Sequence, residues 1–272
     1  MFQIRTLVLL LFVCRLQAQN DDKRFYGNVA HRQLNSEKKL REELTTFTIA
    51  GTVSDFSLKL NFEKSDLFSK NAANSNLNSS LLSMRYLTLS ANRDYGFKNG
   101  YQLNTQLFTT WSSESNEELV NKNAYFGGSV LAGKRTNKFS YFVGLAYDTY
   151  FGTPQVLPTF YLNYKYKNLI EAQASPRLTY IKYYLKPSHI FSIELDNQSK
   201  YGKLDQSKTQ TRINEVNQMD FSLIAKFEFK AMKSWTSSIG VGHGIYQEYK
   251  TSEATIKYSN NYSFNLSFNY QF

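Results

Sequence analysis

The sequence has almost no cysteine, little proline and no long apolar segment. Cys14 is the one cysteine among 272 residues, and it lies in the N-terminal segment that we expect to be removed. The processed chain is therefore expected to have no disulfide, no thiolate metal site and no cysteine nucleophile. Beyond that segment no apolar stretch reaches the roughly 18 to 20 residues that a membrane-spanning helix needs, so helical spanning is excluded too.

Motifs for catalysis are also missing. The chain contains no Gly-x-Ser-x-Gly, no phosphate-binding loop and no zinc-ligand spacing. Of the three histidines, His243 shares a strand face with Ser237, but the two positions lie about 20 Å apart along an extended strand. We therefore predict that the protein is not an enzyme, with no catalytic, cofactor-binding or metal site.

Aromatic residues, by contrast, are abundant. The chain has 20 Tyr and 21 Phe, although its mean hydropathy is only −0.46. This combination is typical of a membrane β-barrel, in which every second residue faces water and aromatic side chains gather at both interfaces. The net charge of +10 is scattered through alternating segments and forms no basic stripe, so nucleic-acid binding is not predicted.

The C-terminal segment alternates without interruption. Apolar Tyr262, Phe264, Leu266, Phe268, Tyr270 and Phe272 are separated by polar Ser263, Asn265, Ser267, Asn269 and Gln271. A strand of this kind has one face suited to hydrocarbon and one suited to water, which predicts the last strand of a closed transmembrane barrel. The ending resembles the C-terminal assembly signal of bacterial outer-membrane barrels, carried here by Phe264, Phe268, Tyr270 and Phe272. The resemblance implies contact with the barrel-assembly machinery.

The N-terminal segment predicts export. Residues 1–18 combine the cation Arg5, the apolar run Leu7 to Cys14 and a small-residue cleavage site ending at Ala18, as in a signal peptide. Lipidation of Cys14 is the weaker alternative, because the flanking Val13 and Arg15 suit a lipidation site poorly. The predicted location is the bacterial outer membrane, with its lipid as a partner.

Three segments are predicted: the signal peptide, a polar periplasmic leader over residues 19–44 and the barrel over residues 45–272. Within the leader, Ser36 would cap a short helix reaching Leu44. Thr45 to Val53 is β-prone, with a bend or bulge expected near Gly51.

We predict an all-β, antiparallel up-and-down barrel of about 12 strands, with a range of about 10 to 14. The predicted strands are 56–63, 82–91, 101–111, 124–133, 139–151, 157–166, 169–174, 178–185, 189–197, 219–230, 235–249 and 258–272. Long polar connections, such as 64–80 and 198–218, alternate with tight turns, which predicts external loops on one side and both termini in the periplasm. A secreted soluble β-sandwich is the alternative, but its core would favour Val, Ile and Leu over Phe and Tyr.

The inward parity of the predicted strands should line the lumen. Its charged members include Lys59, Glu63, Lys165, Glu171, Glu194, Asp196, Lys226 and Glu228. Both signs are interleaved, which favours ion pairs that brace a narrow or filled interior over an open ion-selective pore.

The stretch from Val156 to Leu195 resembles an uncharacterised domain-of-unknown-function family of Gram-negative outer-membrane β-barrel proteins. The likeness is carried by Leu157-Pro158, the aromatic strand after it, a Lys-Asn turn, Ser175-Pro176 and the strand from Leu178. It implies the fold and the location and no catalytic residues.

Two functions are compatible with these patterns. The first is a narrow channel or porin for small polar solutes. The alternative is a structural or surface-interaction barrel with a filled lumen and partner-binding external loops, and a membrane lipid-modifying enzyme is a distant third. The sequence leaves the solute and the oligomeric state open.

Overall fold

The computed structural model describes residues 23–36, 40–69, 79–114, 123–204, 215–232, 234–252, 255–258 and 261–271. The predicted signal peptide and Phe272 lie outside these ranges. The described part contains no helix that is long and apolar enough to cross a membrane.

The described residues form sixteen strands in a single sheet. The strands are β1 (Lys23–Ser36), β2 (Leu40–Val53), β3 (Phe56–Ser69), β4 (Ser79–Gly96), β5 (Tyr101–Glu114), β6 (Ala124–Arg135), β7 (Phe139–Phe151), β8 (Thr153–Tyr166), β9 (Ile170–Ala174), β10 (Leu178–Lys186), β11 (His189–Asn197), β12 (Lys200–Lys203), β13 (Glu215–Met232), β14 (Trp235–Thr251), β15 (Thr255–Tyr258) and β16 (Asn261–Gln271). One turn of 3-10 helix, Lys98–Gly100, connects β4 to β5.

Fourteen of these strands close into an antiparallel barrel. They follow one another from β1 to β11 and then through β13, β14 and β16, and β1 closes the ring by pairing with β16, Val29 opposite Phe268. Strands β12 and β15 are not members of the ring. Each pairs with one ring strand only, β12 with β13 and β15 with β14. The predicted all-β antiparallel barrel is confirmed, and the two-sheet sandwich is not found.

The strand number differs from the predicted value of about 12 because β1 and the first five residues of β2 lie in the segment predicted as a leader, and the rest of β2 was not among the twelve predicted strands. The leader over 19–44 and the helix from Ser36 to Leu44 are wrong for the described residues, which are strands of the barrel. The outward positions of β1 include Gly27 and His31 beside Phe25 and Val29, so its alternation is incomplete.

No bulge occurs near Gly51. Gly51 pairs with Leu58 in an unbroken register between β2 and β3. The change of parity arises instead at a tight turn, where Ser54 has a left-handed φ of 56°.

The two ends of the barrel differ in their connections. One end, here called the turn end, holds the start of β1, the end of β16 and short turns such as Ser54-Asp55. The opposite end, the loop end, holds the longer connections from β3 to β4, β5 to β6, β11 to β13 and β14 to β16. Three connections at the loop end are short, after β1, β7 and β9.

The outer surface of the ring is apolar. Leu107 is 72% exposed, Phe126 70% and Val143 60%, and their neighbours on the opposite parity face the lumen. Exposed aromatic side chains mark the turn end: Phe97, Tyr101, Phe139, Tyr166 and Trp235. Exposure of this kind is typical of a barrel whose outer face meets hydrocarbon and whose rim meets an interface.

Candidate functional site

The predicted lumen residues lie on the inner parity of their strands. Lys59 and Glu63 line a cavity of about 540 Å³, here called the middle cavity. Lys165 and Glu171 line a cavity of about 310 Å³ at the turn end. A third cavity, of about 150 Å³, is lined by Glu194, Asp196 and Lys226, whereas Glu228 is inward on β13 and bonded to Lys182.

A further cavity, of about 450 Å³, opens from the turn end and is here called the turn-end cavity. Its wall starts at the turn residues Ser54 and Asp55 and reaches Arg177. Asn92, Gln106 and Arg177 line both this cavity and the middle cavity. The two spaces are therefore neighbours along the lumen.

The loop end of the lumen is occupied by the chain itself. Residues Gln198–Leu204, here called the inner segment, include β12 and lie against the inner faces of β4, β5 and β7. A Cβ atom on Gly202 would meet Met84 at 2.9 Å and Tyr86 at 3.2 Å. Ser112 on the inner parity of β5 donates a hydrogen bond of 2.8 Å to the carbonyl of Lys203.

An apolar cluster packs in the same region. It consists of inward residues of the ring and one residue of the inner segment: Leu67, Met84, Tyr86, Leu204, Val216 and Tyr249. The loop predicted over 198–218 is therefore partly internal, which corrects its assignment as an entirely external connection. The one sequence signal for this placement is the dipeptide Tyr201-Gly202, an aromatic residue and a glycine within an otherwise polar stretch.

Two cations hold the inner segment. Lys200 forms an ion pair with Glu63 of β3, with side chains 15% and 10% exposed, and its ammonium lies 5.7 Å from the ring centroid of Tyr86. Arg177 forms an ion pair with Asp148 and donates to the Ser199 carbonyl at 2.6 Å and to the Thr149 hydroxyl at 2.9 Å. Charge-assisted bonds of this kind are strong, so they fix the segment against the wall of the middle cavity.

A buried polar network fills the side of the lumen formed by β1, β2, β13 and β14. Arg32 and Asp220 form an ion pair of 3.0 Å with side chains 5% and 3% exposed. Ser222 accepts from Arg32 at 2.6 Å, and Gln247 donates to Asp220 at 2.9 Å. The alternation of apolar residues on the outer face does not predict this pair, and Arg32 and Asp220 are not among the predicted lumen residues.

Glu42 forms a second centre close to this network. Its carboxylate accepts hydrogen bonds from Tyr249 at 2.6 Å, Ser65 at 3.0 Å and Gln218 at 3.1 Å. The donors come from three different strands, so they tie the wall together at the loop end.

The remaining predicted charges also pair across strands. Lys226 lies 3.7 Å from Glu194 and 3.5 Å from Glu228, and Lys182 lies 3.1 Å from Glu228. Glu171 accepts from Tyr180 at 2.8 Å and Tyr184 at 3.0 Å, with Lys165 at 3.6 Å. These contacts brace the lumen wall and leave few unpaired charges.

At the turn end, Asp55 lies in the turn between β2 and β3, outside the strands. A hydrogen bond to its own backbone lowers the pKa of this carboxyl, with a further contribution from Arg93 at 3.4 Å. The mouth of the turn-end cavity thus carries an ionised carboxylate at neutral pH.

The histidines do not assemble a hydrolytic site in the described residues. His243 and Ser237 both face outward on β14, and the His243 ring lies 5.5 Å from that of Tyr262. His189 lies 2.8 Å from the Ser188 hydroxyl, but no carboxylate among the described residues bonds to its other ring nitrogen. Among those residues no group of three or more His, Cys, Asp or Glu side chains is placed to hold a metal ion.

Three residues of the predicted assembly signal, Phe264, Phe268 and Tyr270, lie on β16 between β1 and β14, and the fourth, Phe272, lies outside the described residues. Phe264 and Phe268 face outward and are exposed, and Tyr270 packs on Trp235 with ring centroids 4.7 Å apart. The role of these residues in assembly stays a prediction.

No protein-family model and no curated protein matches the chain. Solved structures do match it. The KdgM porin in complex with disordered oligogalacturonate is 12% identical, over 91% of this chain and 99% of that chain, with a TM-score of 0.44. Omp33 from Acinetobacter baumannii is 9% identical, over 92% and 99%, with a TM-score of 0.42.

Outer membrane phospholipase A from Escherichia coli is 10% identical, over 92% of this chain and 96% of that chain, with a TM-score of 0.39. Likenesses at this level concern the barrel fold and say nothing of a substrate. The family likeness of Val156 to Leu195 remains a resemblance.

Proposed function

We propose that the protein is a porin-like channel of the bacterial outer membrane, passive, narrow and selective for small polar solutes. The observation that carries the proposal is the pair of neighbouring cavities, lined mainly by polar side chains, that extend into the lumen from the turn end. The exposed apolar belt and the aromatic rim support placement in lipid. In this placement the turn end faces the periplasm and the loop end faces outward.

A second candidate function is a structural or surface-interaction barrel. The inner segment and the apolar cluster around Leu204 favour it, because together they occupy the loop end of the lumen. Partners would then bind the connections at the loop end.

Two further parts of the proposal concern chemistry and partners. We propose that the barrel is non-enzymatic, and in the proposed placement His243 and Ser237 on the outer face of β14 would contact lipid. The outward Phe264 and Phe268 on the last strand support insertion into lipid with the help of the barrel-assembly machinery.

Single-channel recording separates the channel from the structural barrel. Purified protein refolded into a planar bilayer is expected to give small, steady current steps, because the inner segment narrows a water-accessible lumen. Heat-denatured protein is the control and should give none. Silent bilayers, with protein that still shows the folded, heat-modifiable band on gels, would refute the channel and favour the structural role.

A further inference from the structure

We infer that a row of five uncharged side chains in the lumen is a binding site for neutral polyhydroxylated small molecules, such as sugars and polyols. The inference rests on the proposed channel function and adds the class of solute. The row, here called the polar row, consists of Thr52, Ser57, Asn92, Gln106 and Ser129.

The polar row is a continuous feature of the wall. In the register of the sheet Thr52 lies opposite Ser57, Ser57 opposite Asn92, Asn92 opposite Gln106, and Gln106 opposite Ser129. The five residues therefore form one row across five consecutive strands, β2 to β6, all on the inner parity. All five line the turn-end cavity.

The hydrogen-bonding groups of the row are free. None of the five side chains forms a hydrogen bond with another residue of the described ranges, although inner-face polar groups elsewhere in the barrel are extensively bonded. Asn and Gln each offer two donors and an acceptor, and hydroxyls offer both roles. A ladder of such groups matches the mixed donors and acceptors of a sugar.

The charges around the two cavities are mostly cancelled. Arg177 pairs with Asp148, Lys200 with Glu63, and Arg135 lies 3.8 Å from Asp94. Lys59 is the one cation of these walls without an ion pair in the described residues. A cavity with free neutral groups and paired charges favours a neutral solute over an anion or a cation.

Aromatic surface adjoins the row. Phe142, Tyr150 and Tyr161 of β7 and β8 line the same cavity. Phe142 and Tyr150 are buried, whereas Tyr161 is partly exposed. The ring of Tyr161 therefore offers apolar surface to the C–H groups of a sugar, while the row binds its hydroxyls. The cavity volume of about 450 Å³ falls within the range of roughly 300–1,000 Å³ found for small-molecule sites.

Binding is tested on the refolded full-length barrel in a detergent without a sugar headgroup, such as lauryldimethylamine oxide, by saturation-transfer NMR. Glucose is the probe, and gluconate and glucosamine are analogues of similar size with a negative or a positive charge. Saturable binding of glucose, with weaker binding of both charged analogues, is expected. Equal binding of all three, or no binding of glucose, would overturn the inference.

Variants locate the site. Asn92→Leu and Gln106→Leu are each expected to weaken glucose binding about tenfold, because each removes hydrogen bonds to a neutral ligand. Gln106→Asn should retain most of the affinity, and Thr236→Val, which removes an inward hydroxyl on β14, should leave it unchanged. Unaltered binding in both leucine variants, once their heat-modifiable bands show that they are folded, would contradict the assignment.

Swelling of protein-containing liposomes in glucose keeps the two proposals apart. Binding in detergent with neither swelling nor ion current would refute the channel and leave the sugar site in place. Ion current or swelling without glucose binding would refute the sugar site and leave the channel in place.

Discussion

Replacement of Lys200–Lys203 by a four-residue glycine-serine linker is expected to raise the single-channel conductance several-fold. β12 carries Lys200 and Tyr201 into the middle cavity, where they meet Glu63 and the ring of Tyr125. Removal of these side chains widens the lumen where the inner segment crosses it, and ion flow increases with the cross-section of the lumen. Current steps in planar bilayers measure the change.

The other short strand offers a matched control. β15 (Thr255–Tyr258) also lies at the loop end, but it pairs with β14 and extends the sheet at the rim. The same glycine-serine replacement there should leave the conductance close to that of the unaltered protein. Equal steps from the unaltered protein and the β12 variant would show that the inner segment does not restrict the lumen.

Arg32→Met is expected to destabilise the barrel by about 3–5 kcal/mol, because it leaves a buried carboxylate without its cation. Asp220 would keep its hydrogen bonds from Ser222 and Gln247 but lose the ion pair of 3.0 Å. The free energy of unfolding in urea, measured on protein inserted in lipid vesicles, gives the difference.

Arg93→Met is the control for that variant. Arg93 and Asp55 form an exposed pair at 3.4 Å, with side chains 52% and 46% exposed, so its loss should cost only about 0–1 kcal/mol. The double variant Arg32→Met, Asp220→Leu should be more stable than Arg32→Met alone, since both buried charges are gone. Similar decreases in the free energy of unfolding for Arg32→Met and Arg93→Met would show that the buried ion pair matters no more to stability than the exposed one.

Much of the barrel is predictable from the sequence because its strands have an apolar outer face and a polar inner face. Strands such as β7, with exposed Val143 and Leu145 beside buried Phe142 and Ala146, carry a strict period of two. Each of the twelve predicted segments corresponds to a strand of the ring. β1 escaped prediction because polar His31 and Gln33 occupy outward positions near the loop end.

The contents of the lumen were less predictable. Parity identifies inward residues such as Glu63, but it does not reveal that the partner of Glu63 is Lys200, in a segment read as an external loop. Such contacts join residues far apart in the chain, and a single sequence gives no signal for them. Similarly, the polar row is recognisable only from the register, which places Asn92 beside Gln106.

The central claim is that the fourteen-stranded ring is closed and surrounded by lipid. Its most direct test is flotation of the processed protein with lipid vesicles in a density gradient containing urea, after refolding without detergent carry-over. We expect the protein to rise with the vesicles, because the outer face, with Leu107 72% exposed, requires hydrocarbon. A compact monomer that stays dissolved at the bottom of the gradient, without lipid or detergent, would contradict the claim.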